Sequence, residues 1–314
     1  MKNKKIVIAA GTGFLGTGLI DSFGNDNDIV ILTRNPKKDH HRVSYVQWDG
    51  KSLGDWVKYL DNTDLLINLA GKSVNCRLTE ENKKNIIDSR VLPTQVLGAA
   101  ITTLQHPPVL WINASSADIY RHAEDRPMDE FDGEEGDDFS VEVCQLWETA
   151  FNEIITPHTH KVILRISAVI GHQGGMMTPL MTLTKFGLGG FQGHGQQQLS
   201  WVHIDDFCGM ISWLYEHPEQ QGVFNCTSPH PVSNRQFMRA LRKEAGHFFG
   251  LPALTWMVQI GARAIGTEPH LVLKSRWVLP ARALQAGFVF RYPELQPAMK
   301  QIIGKLPRRR YHLV

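Results

Sequence analysis

The feature that most constrains this chain is its opening, KKIVIAAGTGFLGTGLIDSF. Lys4 to Ala10 is a short run of β-branched and small apolar residues, the pattern of a strand buried on both faces. Gly11, Gly13 and Gly16 follow at once in the spacing G-x-G-x-x-G. Apolar residues at Phe14, Leu15, Leu19, Ile20 and Phe23 then recur at helical spacing. Strand, glycine turn and helix together predict the first βα unit of a parallel sheet, with main-chain N–H groups and a helix N-terminus turned towards a pyrophosphate. Gly11 and Gly13 are expected to let the backbone turn tightly and approach the phosphates, with Thr12, Phe14 and Leu15 beside them. Gly16 is expected to let the helix lie flush on the strand.

The second strand speaks to the kind of dinucleotide. Asp28 to Leu32 is another buried run, and it ends in Thr33-Arg34 with Lys37 and Lys38 beyond. An acidic residue at this point holds a ribose 2′-OH in NAD-binding units. None stands here, and a guanidinium offers a planar fork of donors suited to phosphate. Thr33 and Arg34 therefore predict NADP rather than NAD.

Further strands are expected at Val43–Trp48 (followed by Asp49), Asp64–Leu69 (followed by Ala70-Gly71), Val109–Asn113 (leading to Ser115-Ser116) and Lys161–Ile166 (followed by Ser167-Ala168). Helices are expected over Glu80–Thr103 and Asp138–Ile155. Six strands with intervening helices make an α/β fold, a doubly wound parallel Rossmann sheet, with its ligand beyond the C-terminal strand ends. That rule brings the glycine turn, Arg34, Asp49, Ala70-Gly71, Ser115-Ser116 and Ser167-Ala168 to one rim. After the sixth strand the texture changes. Residues 171–200 are rich in Gly and Gln, as in GLGGFQGHGQQQ, and read as a functional loop or lid. A helix, the strand Val223–Cys226 and a helix over 233–247 follow, then a mostly helical C-terminal substrate region. The expected organisation is a Rossmann domain over 1–170, a shared lid, helix and strand region over 171–247, and a small C-terminal domain over 248–314.

Composition narrows the function classes. A net charge of +2 over 314 residues, 20% of them charged, calls for no nucleic-acid partner, and Arg308-Arg309-Arg310 reads as a solvated tail. No apolar run approaches the length of a membrane span, so no membrane partner is expected. The first strand begins at once, and the four cysteines are scattered without a C-x-x-C; both fit a reduced, cytoplasmic protein. The fourteen histidines lack partners at ligand spacing, so no metal is expected. Oligomeric state has no signal.

These motifs carry a resemblance. AGTGFLG, LTRNP, NLAGKSVNCR, Asp88-Ser89-Arg90, SSADIY, GLGG, SWVHIDD and VLPARALQAGFVFRYP span nearly the whole chain. The sequence resembles the extended, epimerase-like branch of the short-chain dehydrogenase/reductase superfamily. More closely, it resembles an atypical NAD(P)-dependent epimerase/dehydratase-like family of unassigned substrate that ends in a small C-terminal domain of unknown function. The resemblance implies NADP at the sheet rim. Leu69, Ala70 and Gly71 would pass beside the adenosine and its ribose, Arg90 would point back to the cofactor, and Ser167 and Ala168 would line the nicotinamide end. Ala10 departs from the glycine usual at its place.

The catalytic pattern departs further. Ser116 occupies the superfamily's serine place. Aligning Trp147-Glu148 with the usual W-E, however, puts Ser140 where Tyr belongs and Cys144 where Lys belongs. Neither can replace that pair: a serine hydroxyl is a poor acid, and a thiol carries no positive charge. Cys144, Trp147 and Glu148 read as helix packing. Tyr120 is a substitute acid or an aromatic covering the site. His203 and Asp205-Asp206 contact substrate, or an aspartate caps the following helix. Arg77 binds an anionic group or pairs with a carboxylate such as Glu80. Two functions stay open: an NADP-dependent oxidoreductase or epimerase of a small polar, sugar-like or nucleotide-linked substrate, and a non-catalytic NADP-binding regulator.

Overall fold

The computed structural model describes residues 1–266 and 268–312. Seven parallel strands form the central sheet: β1 (Lys5–Ala9), β2 (Asp28–Thr33), β3 (Val43–Gln47), β4 (Leu65–Asn68), β5 (Leu110–Ser116), β6 (His160–Ile166) and a last strand at Gly222–Cys226. Their spatial order is β3-β2-β1-β4-β5-β6, with Gly222–Cys226 outside β6. The seventh strand extends the expected six. It is the strand expected at Val223–Cys226, in the region expected to be shared between the sheet and the substrate region, and it pairs with β6.

The first two strands and β4 are buried nearly throughout, as continuous runs covered on both faces must be. Helices α1 (Phe14–Phe23), α2 (Glu80–Ile101) and α3 (Phe139–Asn152) supply the cover. One core layer joins Leu19 and Phe23 of α1 to Ile6, Ile8, Ile29 and Ile31; the other joins Val96, Leu97 and Phe151 to Val7, Val30, Leu66 and Trp111.

Beyond β6 come β7 (Ala168–Gly171), β8 (Gly174–Gly175), α4 (Met177–Lys185), β9 (Gln198–Leu199), β10 (Trp201–His203), α5 (Ile204–Glu216), the seventh sheet strand as β11, β12 (Val232–Ser233) and α6 (Asn234–Glu244). The stretch expected to be a lid is packed. Met177, Leu180 and Met181 of α4 share a core with α6, and Gly190 lies so close to the 251–252 backbone that a Cβ there would approach the Leu251 carbonyl carbon to 2.4 Å. Gly187, Gly193 and Gly195 hold positive φ, so here glycine serves turns as well as close backbone approach. The C-terminal region is helical: α7 (Thr255–Ile265), α8 (His270–Leu273), α9 (Ala281–Gln285) and α10 (Leu295–Gly304). Among the described residues no helix is long and apolar enough to cross a membrane.

Candidate functional site

The turn after β1 divides its work among four residues. Ala10 takes the left-handed conformation (φ 59°), while neither Gly11 nor Gly13 has a positive φ. Gly11 is small for packing: a Cβ there would lie 2.7 Å from Ile8 Cγ2. Gly16 is small because a Cβ would lie 2.0 Å from the Gly11 carbonyl oxygen, so α1 rests directly on the loop. Gly13 begins α1 with an extended backbone and no capping side chain, and a Cβ there would meet nothing within 4 Å. The expectation that the first two glycines make the turn is thus corrected: Ala10 makes it, and Gly13 leaves open space before an uncapped helix. With no acidic residue in its first turn, that N-terminus favours an anion. Phe14 instead packs against the backbone at Gly171 and Gly175.

Beside the turn lies a cleft of about 660 Å³ bordered by Thr12, Thr33, Arg34, Asp49, Ala70 and Gly71. Thr33 closes β2, and its Oγ1 accepts from the Asn35 N–H at 3.3 Å. The Arg34 side chain is exposed and has no hydrogen bond or ion pair with any described residue; only its carbonyl is engaged, by Gln47. Asp49 accepts from the Ser52 and Lys51 N–H groups, which hold its carboxyl below the usual range. Asn35, Lys51 and Lys72 also border this cleft, although the sequence reading passed over them. They follow strand ends, the signal that located Arg34 and Gly71.

A second pocket of about 220 Å³ lies beyond Gly71, which borders both. Leu15, Leu69, Arg90, Ser115 and Ser116 reach it, together with Ser140 and Cys144 of α3. Arg90 runs under Gly71, donates to the Ile86 carbonyl at 3.0 Å and stacks 5.3 Å above the Trp147 ring. The Ser116 Oγ accepts from the Asp118 N–H at 3.1 Å. Burial pushes the Cys144 thiol up to about 12, and its Sγ meets the Ser116 carbonyl at 3.8 Å, so it packs.

Several expected site residues serve elsewhere. Tyr120 is buried, accepts from Arg165 Nη1 at 3.0 Å and donates to Asn225 at 3.1 Å; burial raises its pKa. It neither covers the site nor faces it. Arg165 holds Glu148 through two bonds of 2.9 and 2.8 Å, and the Ser115 hydroxyl donates to Glu148 at 2.6 Å. Glu148 therefore does more than pack; it ties α3 to β5 and β6. His203 is fully buried. Its Nδ1 accepts from the Asp205 N–H and caps α5, its Nε2 meets Gln301 at 3.1 Å, and it borders neither cleft. Neither aspartate caps that helix; Asp206 instead accepts from the Arg291 and Tyr292 N–H groups. Arg77 donates to the Arg263 carbonyl at 3.0 Å, while Glu80 pairs with Lys83. Ser167 and Ala168 border neither cleft. The Ser167 hydroxyl donates to the Cys226 carbonyl, and Ile166 borders the smaller pocket in their place.

The C-terminal region completes that pocket, as the sequence did not foretell. Lys274 Nζ donates to the Asp118 carbonyl at 3.0 Å and to Asp138 at 2.8 Å, and Arg276 forms an ion pair with Asp118. Burial works against the Asp118 charge, but Arg276 and then Lys274 outweigh it and keep the carboxylate ionised. His270 stands on the pocket wall. Burial and then the Arg276 charge hold its pKa below the ordinary histidine value.

An all-parallel sheet with an uncapped helix at its central glycine turn defines a Rossmann-type nucleotide-binding protein. The profile of the NAD dependent epimerase/dehydratase family matches residues 6–227, and that of a domain of unknown function (DUF1731) matches residues 255–302. The chain belongs to the NAD dependent epimerase/dehydratase family. It is 32% identical over 304 residues to the epimerase family protein YfhF of Bacillus subtilis, covering 95% of this chain and 98% of that one. The crystal structure of human epimerase family protein SDR39U1 with NADPH superposes with a TM-score of 0.85 at 28% identity, over 96% of this chain and 99% of that one. UDP-N-acetylglucosamine 4-epimerase from Bacillus cereus shares the fold, with a TM-score of 0.75 at 18% identity over 97% and 98% of the two chains.

Proposed function

We propose that this chain binds NADP(H) along the rim and exchanges a hydride with a small polar, sugar-like or nucleotide-linked substrate in the pocket beside Ser116. The observation that carries the cofactor reading is Arg34, an unpartnered guanidinium at the end of β2, beside a cleft that leads to an uncapped α1. The amides after Gly13 would face the pyrophosphate. Arg34, with Asn35 and Lys51, would take the 2′-phosphate. Thr12, Leu69, Ala70 and Gly71 would flank the adenosine and its ribose, and Arg90 would border the inner end. The human relative crystallised with NADPH supports this reading. When bound, the cofactor supplies or accepts the hydride.

The proton falls to this chain's own residues. The titratable groups on the pocket wall are Arg90, Asp118, Cys144 and His270. Arg90 stays charged, Asp118 is ionised and paired, and Cys144 stays protonated. His270 is the one imidazole among them, and burial and then the Arg276 charge hold its pKa below the ordinary histidine value, which favours the neutral ring. Its neutral ring accepts a proton from a substrate hydroxyl held by Ser116, and its protonated ring returns one to a carbonyl. The four free cysteines fit a reducing, cytoplasmic setting.

The non-catalytic reading draws on Ser140 and Cys144 standing where the family's Tyr and Lys stand. NADPH consumption across a panel of carbonyls and nucleotide sugars separates the two. On the catalytic reading, His270→Gln and Ser116→Ala keep NADPH affinity near wild type while lowering turnover. Binding without consumption of any panel member favours the regulator.

A further inference from the structure

A run of exposed apolar side chains follows α6. From Phe248 to Ile260 every large apolar side chain except Val258 is exposed; Phe248, Phe249 and Trp256 stand at 106%, 67% and 58%. The Leu251 N–H donates to the Gly187 carbonyl, which brings exposed Phe186 alongside. Contiguous exposed apolar area of this kind marks a contact surface.

Its surroundings are cationic. Arg242 and Lys243 stand in the last turn of α6, which ends at Glu244 just before this stretch, and Arg242 donates to the Gly189 carbonyl. The Arg308-Arg309-Arg310 turn is fixed beside it. Lys185 Nζ donates to the Arg309 carbonyl at 2.9 Å, His247 meets the Tyr311 carbonyl at 2.6 Å, and the His247 and His312 rings stack at 4.6 Å. All three arginine side chains are exposed, and no described residue pairs with them. Residues 295–312, which carry that turn, hold Lys300, Lys305, Arg308, Arg309 and Arg310 and no aspartate or glutamate, while Glu244 ends α6 and Glu294 precedes α10.

We propose that this face docks on an anionic lipid surface, with Phe248, Phe249 and Trp256 entering the headgroup boundary and Arg308, Arg309 and Arg310 meeting lipid phosphates. Charge complementarity selects this occupant. Aromatic residues flanked by cations suit a membrane interface. A second copy applied through the same patch would set arginine clusters against each other. The contact is peripheral, since no described helix can span a bilayer. It departs from the reading of the arginine run as a free tail and of the chain as having no membrane partner.

The test is sedimentation with vesicles of equimolar phosphatidylcholine and phosphatidylglycerol, against phosphatidylcholine alone. Wild type should bind the anionic vesicles, release in high salt and ignore the neutral ones. Replacing Arg308, Arg309 and Arg310 by Ser should weaken partition about a hundredfold, at about fivefold per charge. The double variant Phe248→Ser, Phe249→Ser should also release the protein, and both variants should keep wild-type NADPH affinity. Absence of wild-type binding to anionic vesicles, undiminished binding by either variant, or concentration-dependent dimers through Phe248 and Phe249 in place of vesicle binding would overturn the proposal.

Discussion

Gly13 and Gly16 sit three residues apart and should respond oppositely to the same added methyl. At Gly16 a Cβ would lie 2.0 Å from the Gly11 oxygen and 2.3 Å from its carbonyl carbon, both rigid backbone. Ordinary contact begins at 3.4 Å, so α1 and the loop must part by about 1.4 Å. Overpacking of this kind costs about 1–3 kcal/mol, offset by about 1 kcal/mol of helix propensity. Gly16→Ala should therefore lower Tm by a few degrees and weaken NADPH binding. At Gly13 a Cβ would meet no atom within 4 Å, and φ is −88°, so Gly13→Ala should leave Tm within a degree or so of wild type. The new methyl occupies the space before the α1 amides, where the pyrophosphate would rest. Loss of one charge-assisted contact weakens NADPH about tenfold. Thermal unfolding and NADPH fluorescence titration on the two variants read these effects separately. Wild-type affinity in Gly13→Ala would refute the placement of the pyrophosphate, and an unshifted Tm in Gly16→Ala would refute the helix-on-loop contact.

Three further outcomes follow from the same geometry. Ala10 holds φ 59°, so Ala10→Gly should raise stability by about 0.5–1 kcal/mol in urea unfolding. Glu148→Leu strands the Arg165 guanidinium, whose side chain is 12% exposed, and should cost about 3–5 kcal/mol by the same assay. Burial holds His203 below the ordinary histidine pKa of 6.5. The unfolded chain thus takes up its proton first as pH falls, and stability declines from about pH 6.5 downward. His203→Asn, which keeps a capping acceptor, should flatten that acid limb in denaturation measured across the window.

Much of the sheet was legible because parallel strands buried on both faces appear as unbroken apolar runs, as Asp28–Thr33 does. The phosphate loop was legible through its glycine spacing. That spacing could not reveal that Ala10 bears the left-handed turn, because backbone conformation depends on what the loop packs against. The Arg165–Glu148 pair and its links to Ser115 and Tyr120 cross from strand to helix to strand, so no local period signals them. His203 read as a substrate contact beside two aspartates, yet it is buried and caps α5. The contributions of His270, Lys274 and Arg276 were the least legible. Lys274 and Arg276 meet Asp118 and Asp138 across more than 130 residues, and only tertiary packing brings them and His270 to the site.

Paired NADPH and NADH titrations of wild type and Arg34→Glu test the grip on the 2′-phosphate most directly. Wild type should favour NADPH, and the variant should lose about a hundredfold in NADPH affinity while keeping its affinity for NADH. Equal wild-type affinities for the two coenzymes, or a preference that survives the charge reversal, would contradict it.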